Sequence, residues 1–411
     1  MTLIRLAIRN TRRQTRRTIY TGLAIGIAVA ALTFLDAYLR GALESMVNSF
    51  TRLDAGHVKI LPAEAVKKSR PLSPEEAMRD ISRLLEIVNS TPGVISSTPR
   101  IKFPVLLDKS NGSIPAVGVG ISPLGEENFM QLGQFIIQGK MMSDSSYGVV
   151  LGAELAADLG KTVGDELFMV ARDAFGGLGP GLYTICGISK TGVGMVDRKM
   201  FYLPLPAAQE QLALEDAATE VVCRLENGLE SAEGIASQMN ESLKRAGFDH
   251  ISAVPWQQQF ALFQMISMVG LAKFLMMFLL AIIALTTVIN TVLMSVMERT
   301  REIGALRALG FDRGFVLRMI LAESLVVGML GTIFGIILGI GVATFFHYVG
   351  IDLSGSLSKI DFPIRPIIYP HPVLLTAIQS AIFGLIVSLI AAWYPARKAV
   401  RLDPAQALRT N

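Results

Sequence analysis

Charge is what this sequence has least of. Asp, Glu, Lys and Arg make up 18% of its 411 residues, against roughly a quarter in an ordinary soluble protein. The deficit is concentrated in blocks. Phe274–Met297, Ser324–Phe346 and Pro372–Tyr394 contain no acid and no base, and Ile19–Leu39 contains Asp36 alone. Each block is close to the ~20 apolar residues that carry a helix across a bilayer. Buried core helices are seldom this long and this free of charge. The mean hydropathy of +0.47 agrees, and the pattern predicts four transmembrane helices.

Other absences remove whole classes of chemistry. Gly133–Lys140 (GQFIIQGK) approaches a nucleotide-binding loop but has one residue too many between its glycines, and Met141 stands where Ser or Thr should hold magnesium. Gly118–Gly125 (GVGISPLG) fails the dinucleotide pattern at its third glycine. There is no GxSxG and no HExxH, and the four histidines, His57, His250, His347 and His371, are scattered singly. The charge-free spans lack the intramembrane acids and bases from which ion-coupled transporters build relays. Asp36 and Glu323, near span ends, read as helix-end hydrogen-bonding residues. The only cysteines, Cys186 and Cys223, both fall in strand candidates. An oxidising compartment would permit a disulfide between them; two buried thiols are the alternative. The sequence thus offers no catalytic set, no cofactor site and no metal site of its own.

The charge that is present is lopsided. Residues 1–18 carry six arginines and no acid, Glu298–Arg318 has five arginines against three acids, and the tail after Tyr394 has four basic residues against one acid. These segments sum to +11, so the rest of the +4 chain comes to −7. Basic residues flanking membrane helices stay in the cytoplasm. Both termini are therefore expected inside, with residues 41–260 and 347–371 outside. A cleavable signal peptide fits poorly, because the first apolar block is too long and no small-x-small site follows it.

The resulting organisation is a cytoplasmic amphipathic elbow helix (1–18), a first span (19–40) and an outer domain (41–260). A stalk and second span (261–297), a cytoplasmic helix and loop (298–314) and a third span (315–346) follow. An outer loop (347–371), a fourth span (372–394) and a cytoplasmic tail (395–411) complete it. An arginine arm for nucleic acid is the other reading of the elbow, and its fusion to a span argues against it. The outer domain alternates short apolar strands with helices. Strands are expected from Gly56, Arg100, Ile114, Asp165, Leu182 and Glu220, and helices at Pro74–Asn89, Ala153–Leu159 and Ser231–Ala246. That pattern predicts an α+β domain of two lobes, with the Gly-rich Phe175–Gly181 as a tip. In the third span Gly331, Gly335 and Gly339 recur every four residues, a spacing that lets helix backbones pack closely. Gly22 and Gly26 give the first span a weaker version.

Between the second and third spans lies SVMERTREIGALRALGFDRGFV (Ser295–Val316). Ile303, Leu306 and Leu309 recur at threes, and Gly310 closes what reads as a short amphipathic helix. Periodicity alone allows an ordinary juxtamembrane helix. The run ERTREIGALRALG, however, resembles the cytoplasmic loop of the ABC-type permeases of the MacB and Lol (lipoprotein-releasing) family, to which FtsX also belongs. Trp393–Arg409 (WYPARKAVRLDPAQALR) and Val149–Leu167 (VVLGAELAADLGKTVGDEL) resemble the same family, and Gly187–Leu214 looks particularly like lipoprotein-release permeases.

The resemblance implies that Glu298–Gly310 is a coupling helix docking into a separate ATPase. Ile303 and Leu306 would be its apolar anchors, and Glu298, Arg299, Arg301, Glu302 and Arg307 the surrounding charges. It also implies that ATP and Mg are bound by that partner, and that the permease works beside a second permease, itself or a paralogue, in the bacterial inner membrane. Membrane lipids and a periplasmic acceptor or adaptor are further implied contacts; nucleic acid is not. Three functions follow by resemblance: lipoprotein or lipid-cargo release, MacB-like efflux of drugs or peptides, and FtsX-like signalling. MacB carries its ATPase ahead of the first span, which favours the Lol-like arrangement here. FtsX-like outer domains are typically smaller.

Overall fold

A computed structural model describes residues 7, 9, 15–68, 74–109, 112–144, 147–353 and 367–401. Most of the expected elbow helix and the tail beyond Arg401 lie outside the described residues, as does most of the 347–371 loop. The chain divides into two compact units. One comprises residues 1–43, 267–351 and 368–411, and the other residues 44–266 and 352–367.

The first unit is helical. Its long helices are α1 (Thr15–Phe50), α2 (Phe260–Glu298), α4 (Arg313–Val349) and α5 (Leu374–Val400), with a short α3 (Thr300–Ala308) between α2 and α4. Among the described residues four helices are long and apolar enough to cross a membrane: Thr18–Ala55, Ile266–Glu298, Arg313–Val349 and Leu374–Val400.

Small residues bring α1 and α4 together. A Cβ built on Gly331 would stand 2.5 Å from the carbonyl oxygen of Gly22, and one on Gly335 would stand 2.5 Å from that of Gly26. At Gly339 it would meet Thr33 Cβ at 2.8 Å. Backbone therefore lies on backbone over two turns, where dispersion between closely approached helices is the attraction available in lipid. Gly328 of α4 packs on Ser388 of α5 in the same manner, with 2.5 Å from the built Cβ to Ser388 Oγ.

Polar groups tie the outer end of this unit. Asp36, buried on α1, accepts from Arg40 Nε at 2.9 Å and pairs with Lys273 of α2. Lys273, whose long side chain could otherwise snorkel to water, is thus held by a carboxylate. His371 N donates to the Ala37 carbonyl at 2.8 Å, and His347 Nδ1 lies 2.8 Å from the Pro370 carbonyl.

The second unit is the α+β domain. Its strands are β1 (Val58–Pro62), β2 (Met78–Arg79), β3 (Val94–Lys109), β4 (Gly112–Ile121), β5 (Ile136–Gly139) and β6 (Gly148–Gly152). They continue with β7 (Glu166–Arg172), β8 (Leu178–Ser189), β9 (Met200–Pro204), β10 (Ala217–Ala218), β11 (Glu220–Leu225) and β12 (Ile251–Pro255). The six strands expected from sequence are β1, β3, β4, β7, β8 and β11. Helices run over Ala153–Leu159 and Ala232–Arg245, close to the expected bounds. The helix expected from Pro74 begins only at Ile81, after a 3-10 turn at Pro74–Glu76 and the two residues of β2.

Two lobes share one sixteen-residue strand, β3. Its first half pairs antiparallel with β11, which continues through β1 to β12. Its second half pairs with both β4 and β7, and the path β3–β4–β9–β6–β8–β7 returns to β3 as a closed ring. Closure leaves these strands without free edges. Ile101, Phe103, Val105 and Leu107 alternate inward along β3 and are all buried, the period-two signature of a strand.

On the other face of β3 the alternation delivers charge into the interior. Arg100, 1% exposed, donates from Nε and Nη2 to the two oxygens of Glu126 at 2.6 and 2.8 Å. Its Nη1 donates to the carbonyls of Leu53 and Asp54, both at 3.1 Å. Those carbonyls belong to a π-helical turn, Thr51–Ala55, that follows α1. Beside it Lys59 of β1 and Lys102 of β3 bridge Glu220 of β11 at 3.1 and 2.9 Å, and Lys102 also binds Asp54. Burial by itself opposes ionisation here, but the opposite charges outweigh it. Lys102 and Lys59 hold Glu220 below the usual carboxylate range, and Asp54 and Glu220 hold Lys102 above its ordinary value.

Two outcomes are expected. Gly335→Leu forces a side chain into the Gly26 backbone, and overpacking of this kind costs about 1–3 kcal/mol. It should lower the melting temperature of the detergent-solubilised chain, whereas leucine at Gly341, which faces open space, should not. The depressed Glu220 contributes stability above the unfolded carboxylate value of about 4.3 and loses it as pH falls through its lower folded value. The raised Lys102 contributes below an unfolded value of about 10.4 and loses it above its folded value. Melting temperature should therefore be flat across neutral pH and fall in acid; Glu220→Gln should lower the plateau and blunt the acid limb.

Candidate coupling surface

The loop between α2 and α4 is built from local rules. Arg299 interrupts the helix at φ −106°, ψ 15°, so α3 restarts at Thr300. Gly310 ends it at φ +92°, in the left-handed region that favours glycine. Asp312 then caps α4, its carboxylate accepting from Gly314 N at 3.1 Å and Phe315 N at 3.0 Å. The result is one rigid turn of chain between two long helices.

Its side chains do not divide as the sequence pattern suggests. Ile303 is 3% exposed and packs into an apolar cluster with Val296, Val316, Ile320, Ala396 and Ala399. It holds α3 against the ends of α2, α4 and α5, so its side chain is not presented outward as an anchor. Arg299 also turns inward. Its Nη1 reaches both oxygens of Glu323 on α4, at 3.0 and 2.8 Å, and its Nε reaches Glu302 at 2.9 Å. A half-buried arginine shared between two carboxylates in this way makes charge-assisted hydrogen bonds to both. Leu306 and Arg307 are half-buried, and Arg307 Nη1 donates to the Phe311 carbonyl at 3.0 Å.

The outward surface consists of Glu298, Arg301 and Glu302, followed by Leu309 and Phe311 at the tip. Leu309 is 78% exposed, and Phe311 stacks at 4.8 Å on Phe315. An apolar tip ringed by both signs of charge is chemically suited to a protein interface with a desolvated centre and a polar rim. Threefold spacing marked Leu309 as one of the stripe; what it could not tell was which end of the stripe the neighbouring helices cover. Beside the Arg299–Glu323 pair lies a cavity of about 70 Å³, lined by Thr18, Thr21, Thr291, Ser295 and Ser324 among apolar residues such as Val288 and Ile320.

The two cysteines are both free thiols. Cys223 is fully buried in β11, and burial pushes it up to about 12; such a thiol is inert at neutral pH.

Residues 18–241 match the MacB-like periplasmic core domain, and residues 274–404 match the FtsX-like permease C-terminal domain. The chain belongs to the MacB/Lol/FtsX-like family of ABC transporter permeases. It is similar to the lipoprotein-releasing system transmembrane protein LolE of Haemophilus influenzae, 25% identical over 95% of this chain and 93% of that one. LolC of Neisseria meningitidis is 22% identical over 94% and 92%. The macrolide export ATP-binding/permease protein MacB of Hahella chejuensis is 25% identical over 95% of this chain, which spans only 57% of that longer protein. The periplasmic region of MacB from Actinobacillus actinomycetemcomitans aligns with 52% of this chain at 13% identity and a TM-score of 0.37. The four apolar helices and these relatives make this permease a multi-pass protein of the bacterial inner membrane.

The two ends of the loop stripe should respond differently to substitution. Ile303→Asp buries an unpaired carboxylate and should destabilise the chain by several kcal/mol, read as a large fall in melting temperature. Leu309→Asp should leave melting within about 0.5 kcal/mol of wild type. Equal destabilisation by both would contradict the burial described here.

Proposed function

We propose that this permease is the membrane half of an ATP-driven machine that releases lipoprotein or similar lipid-bearing cargo from the outer leaflet of the inner membrane. The supporting observation is the correspondence from end to end with the Lol proteins, 93% and 92% of whose lengths are matched. The match to MacB leaves unmatched a large part of a protein whose name includes ATP binding. On this reading ATP and Mg belong to a separate cytoplasmic ATPase, and the permease functions paired with a second permease.

The mechanism is mechanical. The ATPase would grip α3 and the Leu309–Phe311 tip, with Glu298, Arg301 and Glu302 orienting the dock. Ile303 and the Arg299–Glu323 pair would pass its motion to α2 and α4, because both join α3 to helices that continue as long rigid rods. Cargo would be expelled by movement of the outer domain and need not cross the bilayer, which agrees with spans almost devoid of charge.

A MacB-like export of peptides or drugs is the second reading, favoured by the match of residues 18–241 to the MacB-like periplasmic core. The two are separated by purifying the permease with its ATPase and identifying what accompanies it by mass spectrometry. Lipoprotein release predicts copurified acylated protein whose addition stimulates ATP hydrolysis. Stimulation by peptides or macrolides with no acylated protein would sink the lipoprotein reading. Leu309→Asp should abolish recovery of the ATPase.

A further inference from the structure

The outer domain contains a second polar site unconnected with coupling. It is a cleft of about 380 Å³ lined by Thr51, Arg52, His57, Phe129, Gln131 and Arg224, with Asn48 at its margin. That volume falls within the roughly 300–1,000 Å³ of small-molecule sites. Its lining contains two guanidinium groups and an imidazole but no carboxylate.

Each basic group makes hydrogen bonds to the surrounding structure. Arg52, on the π-helical turn, lies 5.4 Å from the Phe135 ring centroid and reaches Gln131 Oε1 and Gln134 Oε1, both at 3.4 Å. Arg224, exposed on β11, donates to the Asn128 carbonyl at 3.3 Å. Leu225 N donates to His57 Nδ1 at 3.0 Å. That bond leaves the neutral ring's proton on Nε2, so the histidine remains a donor. Burial and the charge of Arg224 both hold His57 below its ordinary value, so the arginine's field acts across the cleft wall. The wall offers donors from three separate elements: the π-helical turn, β11 and the segment leading into β1.

We infer that this cleft binds a phosphoryl group, carried by an anionic phospholipid headgroup or by a soluble phosphate ester. Two guanidinium groups with no carboxylate in the lining suit a ligand of net negative charge, guanidinium forks match the non-bridging oxygens of a phosphoryl group in pairs, and the ammonium of a zwitterionic choline headgroup would meet like charge here. The Phe129 ring supplies an apolar wall for the glycerol or ester carbons attached to it. The inference is independent of the cargo assigned above.

The test uses the full chain in detergent, read by native mass spectrometry. Short-chain phosphatidylglycerol and phosphatidylcholine are titrated against wild type, Arg224→Gln and Arg224→Lys, and glycerol phosphate is added as competitor. Phosphatidylglycerol should bind in preference to phosphatidylcholine. Arg224→Gln should weaken it roughly tenfold to a hundredfold, the effect of losing a charged hydrogen-bond donor, at unchanged melting temperature, and Arg224→Lys should restore part of the loss. Displacement by glycerol phosphate would identify a site for a soluble ester, and failure to displace a site for the lipid; both support a phosphoryl site. Equal binding of the two lipids, or phosphatidylglycerol affinity unchanged in Arg224→Gln, would overturn it.

Discussion

A guanidinium removed from water organises the outer domain. Arg100 has five donors and no access to solvent, so every one must find a protein acceptor or the strand that carries it cannot be buried. Glu126 takes two of them, and the carbonyls of Leu53 and Asp54 take the two on Nη1. Because β3 belongs to both lobes, this one side chain fixes the closed ring, the open sheet and the turn after α1 in a single arrangement. Replacing the buried pair by apolar groups could preserve stability, but it would release the π-helical turn from the sheet. The charge is better understood as a fastener than as a source of stability.

Much of this architecture was readable in advance, for physical reasons. Hydrophobic length gave the four spans, since a bilayer imposes a scale that no soluble fold does. Short apolar stretches pointed to six strands, β1, β3, β4, β7, β8 and β11. Of the strands of four or five residues only β1 was found, because a handful of residues carries too little pattern. The buried ions also left a trace: Lys59 and Lys102 interrupt apolar strand candidates, and Arg100 and Glu220 open them. Which of them would meet depended on pairings between residues more than a hundred positions apart, and no local signal encodes those. The coupling loop shows the same limit at smaller scale. Its stripe reads as amphipathic from periodicity, but Ile303 turns inward because α4 and α5 close over it while Leu309 stays exposed, and neither neighbour is visible from nine residues of sequence.

The membrane unit is held in two different ways. Across α1, α4 and α5 the contact is made by glycine, serine and alanine, with geometry specified at the level of the backbone. By contrast α2 presents mostly apolar side chains outward, including Phe274, Phe278, Ile282 and Ile283, and its ion pair to Asp36 comes at one end. At the other end Arg299, immediately after α2, pairs with Glu323 of α4. Charge pairs in a poorly hydrated setting are directional and strong, so a few suffice to position a helix that is otherwise little buried.

The glycine seam between α1 and α4 also restricts motion. Where side chains separate two helices, rotamer changes let them slip or roll by small amounts. Here carbonyl oxygens of one helix lie against α-carbons of the other, and close-packed surfaces of that kind have discrete rather than continuous alternatives. Any intermediate displacement would lift a whole row of contacts at once. The two helices therefore pack as a single body, whereas α2 meets them through side chains and through the ion pairs at its two ends.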